Sequence, residues 1–379
     1  TGASSYSGAL IHKTGTVEIA SMSALGTGVP TFGQGFFRYT GPSAILPGYT
    51  LQPSLTGWAT AFYIAQPDAV VTVTGKVNGA TAAFIKDGPG MLDYTYVGTH
   101  TLNANHVSNR EVSPIMYDAD GIAWTNNFAS FTVRQGKVRF SGVGQTNYLR
   151  SSSAWIGEWA DYSPNMTVEN GAYAQFDGGY LTIGRGTGTK TSPQSPSVYV
   201  KNGGYLLLEG FVLANANGKP NFLCSPYLLV DSGTVRVRAD CFLGENGDCT
   251  SRVDIVNGAL FQSDRLNASR ALSFPASTGN SRTEITVDTN STVRTYAIEA
   301  KKGGILNLRG ASVLEVDTTT TNAAIYGLAN DSMNGTVNVD NGILRQRSPF
   351  ITASWFMSLP RFYVGSGGVT LDVTNQAVF

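Results

Sequence analysis

The chain has 379 residues, with 26 Lys plus Arg against 26 Asp plus Glu, a formal net charge of zero and only 14% charged residues. Balanced charge lacks the basic surplus that a phosphate backbone requires, so nucleic acid is not an expected partner. No apolar run approaches the roughly 18 residues of a membrane-spanning helix, so no membrane insertion by this segment is expected. Gly is abundant at 44 residues, and long runs of helix formers at 3.6 spacing are lacking, which predicts an all-β fold with almost no helix.

From the N-terminus, Ser5-Tyr-Ser-Gly8-Ala-Leu-Ile-His-Lys-Thr-Gly15-Thr-Val-Glu-Ile19 reads as strand, glycine turn, strand, and Ser23-Ala-Leu-Gly26-Thr-Gly28 follows. A related run comes later, Phe84-Ile-Lys86-Asp-Gly88-Pro-Gly90-Met-Leu92-Asp-Tyr94. After it, Gly98-Thr-His-Thr-Leu-Asn103 breaks the pattern, ahead of an insertion that ends before Gly136. The order Tyr6, Gly8, Ile11, Gly15, Thr16, Val17, Ile19, Leu25, Gly26, Gly28 resembles the autotransporter passenger-associated repeat of large bacterial surface proteins. The second run is similar to that repeat's Lys-x-Gly-x-Gly-x-Leu segment. The resemblance implies a right-handed parallel β-helix at the outer surface of a Gram-negative-type bacterium, or secreted beyond it. It brings no catalytic residues, and its shared glycines are structural.

Further on, one short pattern recurs: two β-forming runs pinched apart by a residue pair that tolerates positive φ. It is clearest in Val198-Tyr-Val-Lys-Asn202-Gly203-Gly-Tyr-Leu-Leu-Leu208, and returns at Met166 with Asn170-Gly171, at Leu228 with Ser232-Gly233, at Val253 with Asn257-Gly258 and at Val337 with Asn341-Gly342. Phe131 with Gly136, Phe362 with Gly367 and Ile285 with Asn290 extend the series. The starts at 131, 166, 198, 228, 253, 285, 337 and 362 are steps of roughly 25 to 35 residues, with one gap of about 52 that a divergent copy starting at Ile298, Ile298-Glu-Ala-Lys-Lys-Gly303-Gly-Ile-Leu-Asn-Leu308, divides. A period of this size is one turn of a solenoid, in which each unit buries its apolar side only against its neighbours. The expectation is a single parallel β-solenoid over 1–379, right-handed as the resemblance implies, with repeat-like coils over 1–130 and regular strand-Gly-strand coils over 131–379. The start at Thr1 and the strand-like run up to Phe379 are expected of a piece of a longer protein.

Within each coil the alternation predicts one inward and one outward face, with Leu207 among the inward residues. Asn170, Asn202, Asn257 and Asn341 are predicted to stack at one corner, where their amides would hydrogen-bond along the axis. Ordinary Asn-Gly turns in a set of β-sandwiches are the alternative. Residues 142–164, 184–196, 215–226, 264–281 and 349–360 read as irregular insertions, emerging as loops at the coil edges.

Candidate chemistry is sparse. Glu169, Asp231, Asp288 and Asp340 share one position of the repeat and would form a carboxylate row able to hold Ca²⁺ or act as acid and base. Lys201, Arg134, Val256 and Gly365 occupy the same position, which favours a variable solvent-facing site. Asp240, Glu245 and Asp248 surround Cys241 and Cys249 without the spacing of a calcium loop. The Cys241 to Cys249 segment has the length of a small disulfide loop that leaves Cys224 over; three separate buried thiols are an equal alternative. His12, His100 and His106 have no companion ligands, so no metal and no cofactor are expected.

The aromatic cluster Trp155, Trp159 and Tyr162, beside Glu158 and Asp161, is the best candidate for contact with a ligand or partner, sugar rings or protein. Pinning a loop to the core is the competing role, as it is for Trp355. The expected function is that of a non-catalytic structural scaffold or adhesin, with glycans or proteins of a host or neighbouring cell as partners. The alternatives are a polysaccharide-active β-helix enzyme, lyase or hydrolase, and a carbohydrate-binding module.

Overall fold

The computed structural model describes residues 7–52, 59–79, 83–104, 116–117, 123–124, 131–151, 153–158, 162–185, 194–215, 224–244, 249–264, 272–274, 281–317, 325–326, 335–347, 356–357 and 361–373. These form a parallel β-helix: short strands return to the same ladder one coil later, and every ladder pairing between coils is parallel. The chain divides into two compact units, residues 1–158 with 162–180, and residues 159–161 with 181–379. The position 130/131, where the repeat becomes regular in sequence, lies inside the first unit.

In the first unit each coil has three sides. Face A carries Ile11–His12, Thr31–Phe32, Tyr49–Leu51, Val77–Gly79, Thr99–Ala104 and Thr146–Ser151, and ends on the start of Tyr173–Arg185. Face B carries Thr16–Ile19, Gly35–Tyr39, Ala59–Ile64, Ala83–Asp87, Phe131–Val133 and Ser153–Glu158. Face C carries Ala44–Leu46, Val70–Val73, Met91–Tyr94, Lys137–Ser141 and Asn165–Glu169. One 3₁₀ turn, Met22–Leu25, lies between the first two coils, and an antiparallel pair, Met116–Tyr117 with Ala123–Trp124, interrupts the coil that follows Thr99–Ala104.

Strict parallel register turns the alternation of each strand into continuous inward columns. On face C, Leu46, Val73, Tyr94, Phe140 and Val168 are register partners and all are fully buried. Rings pack between faces as well as along them: Phe32, Phe37, Phe62 and Tyr49 form a cluster with centroids 4.5 to 6.2 Å apart. Phe84 stacks on Phe131 at 5.9 Å, and Tyr94 on Phe140 at 5.2 Å. Buried aromatic pairs in these geometries add about 0.5–1.5 kcal/mol each beyond the burial of their area.

The second unit repeats the three-sided plan. Face D carries Ser197–Lys201, Tyr227–Asp231, Thr250–Val256, Arg282–Val287, Gly304–Arg309, Thr336–Asp340 and Arg361–Val364. Face E carries the first part of Tyr205–Asn215, then Thr234–Val237, Leu260–Ser263, Thr292–Thr295, Val313–Val316, Gly342–Gln346 and Val369–Val373. Face F carries the second part of Tyr205–Asn215, then Cys241–Leu243, Leu272–Phe274, Ile298–Ala300, Ile325–Tyr326 and Phe356–Met357.

Four readings of the sequence change as a result. Much of what reads as insertion is coil, and face F is built largely of strands only two or three residues long. Residues 142–164 in particular carry two full strands, Thr146–Ser151 and Ser153–Glu158. The copy that divides the long gap is Gly304–Arg309, because Leu306 is the register partner of both Ile285 and Val337; Ile298–Ala300 is the third side of the coil before it. Likewise Val138, and not Phe131, is the partner of Met166, so the Phe131 copy belongs to a different side. Leu207 also changes sides. Leu206 and Leu208 point inward with Val235 and Val237, whereas Leu207 pairs with Arg236 on the outer side and is nonetheless buried.

The corners between faces D and E explain the asparagines. Asn202, Asn257 and Asn341 have φ of 49°, 58° and 58°, and Asn170 in the first unit has 55°. This is the left-handed region that Asn tolerates better than other side chains. Gly171, Gly203 and Gly258 follow with φ near 75°, whereas Gly342 already begins a strand and is a glycine because an added Cβ would meet Leu308. The predicted ladder of amides does not form. Register aligns Asn202, Ser232, Asn257, Thr289, Gly310 and Asn341, so no corner Asn of this unit has another as its neighbour. The backbone carries the ladder instead, through Gly203 N–H to Ser232 O (2.8 Å), Gly258 N–H to Thr289 O (2.9 Å) and Asn341 N–H to Gly368 O (2.9 Å).

Candidate functional site

On the outer side of face E, register places Leu207, Arg236, Gln262, Arg294, Glu315, Arg345 and Asp372 in one row, one per coil. The residues that follow these strands, Asp264, Asp317 and Arg347, flank the row. Between them lies a shallow cleft of about 100 Å³, lined by Gln262, Ser263, Asp264, Arg294, Thr295, Tyr296, Asp317 and Arg347. That is well below the roughly 300–1,000 Å³ of pockets that enclose a small-molecule ligand.

The charges of this row are committed to one another. Glu315 is buried, and its Oε1 accepts from Arg294 Nε (2.8 Å) and Arg347 Nε (3.1 Å), while Arg345 Nη1 stands 3.9 Å from Oε2. Arg345 Nε also donates to Asp372 (2.7 Å), and Asp264 accepts from Arg236 and Gln262. The Asp264 carboxylate holds the Arg236 guanidinium above its ordinary value, chiefly through their hydrogen bond.

The carboxylates predicted to stack are separated. Along face D the row reads Lys201, Asp231, Val256, Asp288, Arg309, Asp340, so no two carboxylates are register neighbours. Each caps a corner: Asp231 accepts from Asn257 Nδ2 (2.8 Å), Asp288 from Thr289 N–H (2.7 Å) and Asp340 from Gly367 N–H (2.6 Å). In the first unit, Glu169 and Asp93 share Arg139, which holds Asp93 through Nε (2.9 Å) and Nη2 (2.6 Å). No group of three or more His, Cys, Asp or Glu side chains suited to a metal ion occurs among the described residues.

The aromatic candidates divide. Trp155 sits on the strand Ser153–Glu158 rather than in a loop. It closes an outward row with Phe36, Ala61, Ile85 and Thr132, all of them buried, and is itself 7% exposed. That burial leaves no face of it open for stacking on a sugar. Tyr162 is half-buried, and Trp159, Trp355, His106, Glu245 and Asp248 lie outside the described residues. His12 is buried, with Nε2 3.0 Å from Gly15 O.

Two features were not foreseen from the sequence. Lys86 occupies an inward position in the column Phe37, Phe62, Lys86, Val133, Ile156 and is fully buried. Its ammonium donates to the carbonyls of Asp87 (2.6 Å), Gly88 (2.7 Å) and Gln135 (3.3 Å), filling the inside of a corner. Burial pushes it down to about 7, against the opposing pull of the Asp87 carboxylate. The second feature is the cysteine arrangement. All three cysteines are buried and none is in a disulfide, in line with the reading of unpaired thiols; what the sequence did not show is that Cys249 clusters with Cys224 and Ala214 and not with Cys241.

Compared with family models, with curated proteins and with solved structures, the chain matches none. No described helix is long and apolar enough to cross a membrane.

Proposed function

We propose that this chain is a non-catalytic β-helix passenger of a bacterial cell-surface or secreted protein, serving as a structural scaffold or adhesin. The observation that carries this reading is the commitment of outward charge to the stack itself: Glu315, Asp264, Asp231, Asp288 and Asp340 each bind a neighbouring coil or cap a corner. Such groups stiffen the coils and leave no described acid and base pair poised for bond cleavage. The likeness of residues 6–28 and 84–94 to the autotransporter passenger-associated repeat supports export to a Gram-negative-type surface. Partners in this reading are glycans or proteins of another cell, contacted without chemistry.

An array of polysaccharides and glycans, probed with the purified chain and followed by a reducing-end assay on every binding hit, tests it. The expected result is binding to a subset or none, with no release of reducing ends. Release would overturn the scaffold reading and direct attention to Asp264 and Asp317 in the face E cleft, the described site with two carboxylates beside Arg294 and Arg347.

A further inference from the structure

We propose that Cys224 and Cys249 form a disulfide that joins two successive coils, with Cys241 as the odd thiol. Tyr227 pairs with Arg252, and the Thr250 N–H donates to Cys224 O at 3.0 Å, which continues that parallel register upstream and sets Cys224 beside Cys249. On the preceding coil, Gln194 bridges Cys224 in the same sense, and on the following coil the Arg282 N–H donates to Cys249 O at 2.8 Å, which brings Ser281 next to Cys249. Gln194, Cys224, Cys249 and Ser281 are therefore one buried inward column.

Register partners on neighbouring parallel strands lie about 4.8 Å apart, with side chains leaving on the same side. Disulfides span Cα separations of about 4.4–6.8 Å, so this register sets the two cysteines within bridging range. The sulfur of Cys224 also has a prepared place: Gly184, at φ 74°, faces it, and an added Cβ there would clash with Sγ. Cys241 is on Cys241–Leu243, paired with Phe211 on another side of the coil, and burial alone raises its thiol, with no contribution from a second cysteine.

The bond requires an oxidant, and a low-molecular-weight disulfide is the class that fits. One cysteine, as thiolate, attacks the reagent's sulfur–sulfur bond, giving a mixed disulfide and one released thiol. The second cysteine, as thiolate, then displaces the remaining thiol. The protein loses two protons and two electrons, and the reagent is reduced to two thiols. The Cys224 thiol is held well above its ordinary value, first by its hydrogen bond with Cys249 and then by burial, so the reaction proceeds through local opening of the coil or during folding. The bond closes a loop of one coil, which restricts the unfolded chain while leaving the ladder unchanged.

The test incubates the full chain, purified under reductant, with oxidised glutathione in sub-denaturing urea; free thiols are then alkylated and the chain is cleaved on the N-terminal side of aspartates. Cleavage before Asp248 separates Cys241 from Cys249. The expected product is a cross-linked pair of peptides carrying Cys224 and Cys249, two hydrogens lighter than their sum, with Cys241 alkylated. The link persists in Cys241→Ser and is lost in Cys224→Ser, and the oxidised chain melts at a higher temperature than the reduced one only where the link forms. A Cys241 to Cys249 link, a Cys224 to Cys241 link, or full alkylation of all three cysteines would overturn the proposal. The Cys241→Ser chain keeps the test decisive if Cys224→Ser fails to fold.

Discussion

Lys86 shows most clearly how a single residue is governed by its place in a coil. Its ammonium replaces water as the donor to three corner carbonyls, and those carbonyls would be left buried without it. Lys86→Met, similar in volume but without donors, is expected to lower the unfolding free energy by about 1–3 kcal/mol, measured by urea denaturation. The pH dependence follows from the depressed value. The folded group releases its proton near pH 7, whereas the unfolded group holds it until about 10.5. Between those values the unfolded chain binds more protons, so this group's contribution to stability is least favourable below pH 7 and improves as pH rises toward 10. The difference between wild-type and Lys86→Met unfolding curves should show that rise. Gly88 is the backbone counterpart: at φ 73°, with an added Cβ clashing with Ile64 O, Gly88→Ala is expected to cost more than the ~1 kcal/mol usual for an exposed left-handed glycine. From the sequence, Gly88 reads as a turn residue, whereas the burial of Lys86 does not read at all, because a lysine in an alternating run fits a solvent face equally well.

At the level of the strand and its ladder, the period-2 pattern and the positive-φ corners made the parallel coils legible: Val198, Val200, Leu228, Val230, Val253 and Ile255 recur in the positions that register brings together. What stayed hidden was the third side. Strands such as Cys241–Leu243 and Ile298–Ala300 are too short to show alternation, and they are held in place by their neighbours in the stack. Register was equally hidden where glycines flank two sides of one coil, as around Gly136 and Gly303. The candidate site was less legible than the fold. Its residues lie one per coil, so Arg294, Glu315 and Arg347 are far apart in sequence, and only register shows that they meet. Glu315→Gln removes the negative charge on which two guanidinium groups converge. It is expected to destabilise the second unit by about 1–3 kcal/mol, as the carboxylate is buried while its arginine partners are half-exposed, and the loss should shrink with added salt in thermal melts.

At the scale of the whole molecule, each unit is stabilised by columns that no single coil completes, so stability is expected to pass from coil to coil in the manner of other repeat proteins. The zero net charge fits this picture: charges are matched in rows across coils instead of accumulating on one surface. The proposed scaffold role depends on that continuity, since a rod of independent coils would transmit no stiffness. Hydrogen exchange followed by mass spectrometry on wild-type and Leu206→Asp chains measures it directly. Leu206 is fully buried and pairs with Val235, which pairs with Phe261. An aspartate there places a carboxylate in the inward column. A shared core predicts that protection is lost together in Thr234–Val237 and Leu260–Ser263, one and two coils away from the substitution. Loss confined to the residues around position 206, with those two strands as protected as in the wild type, would contradict a shared core.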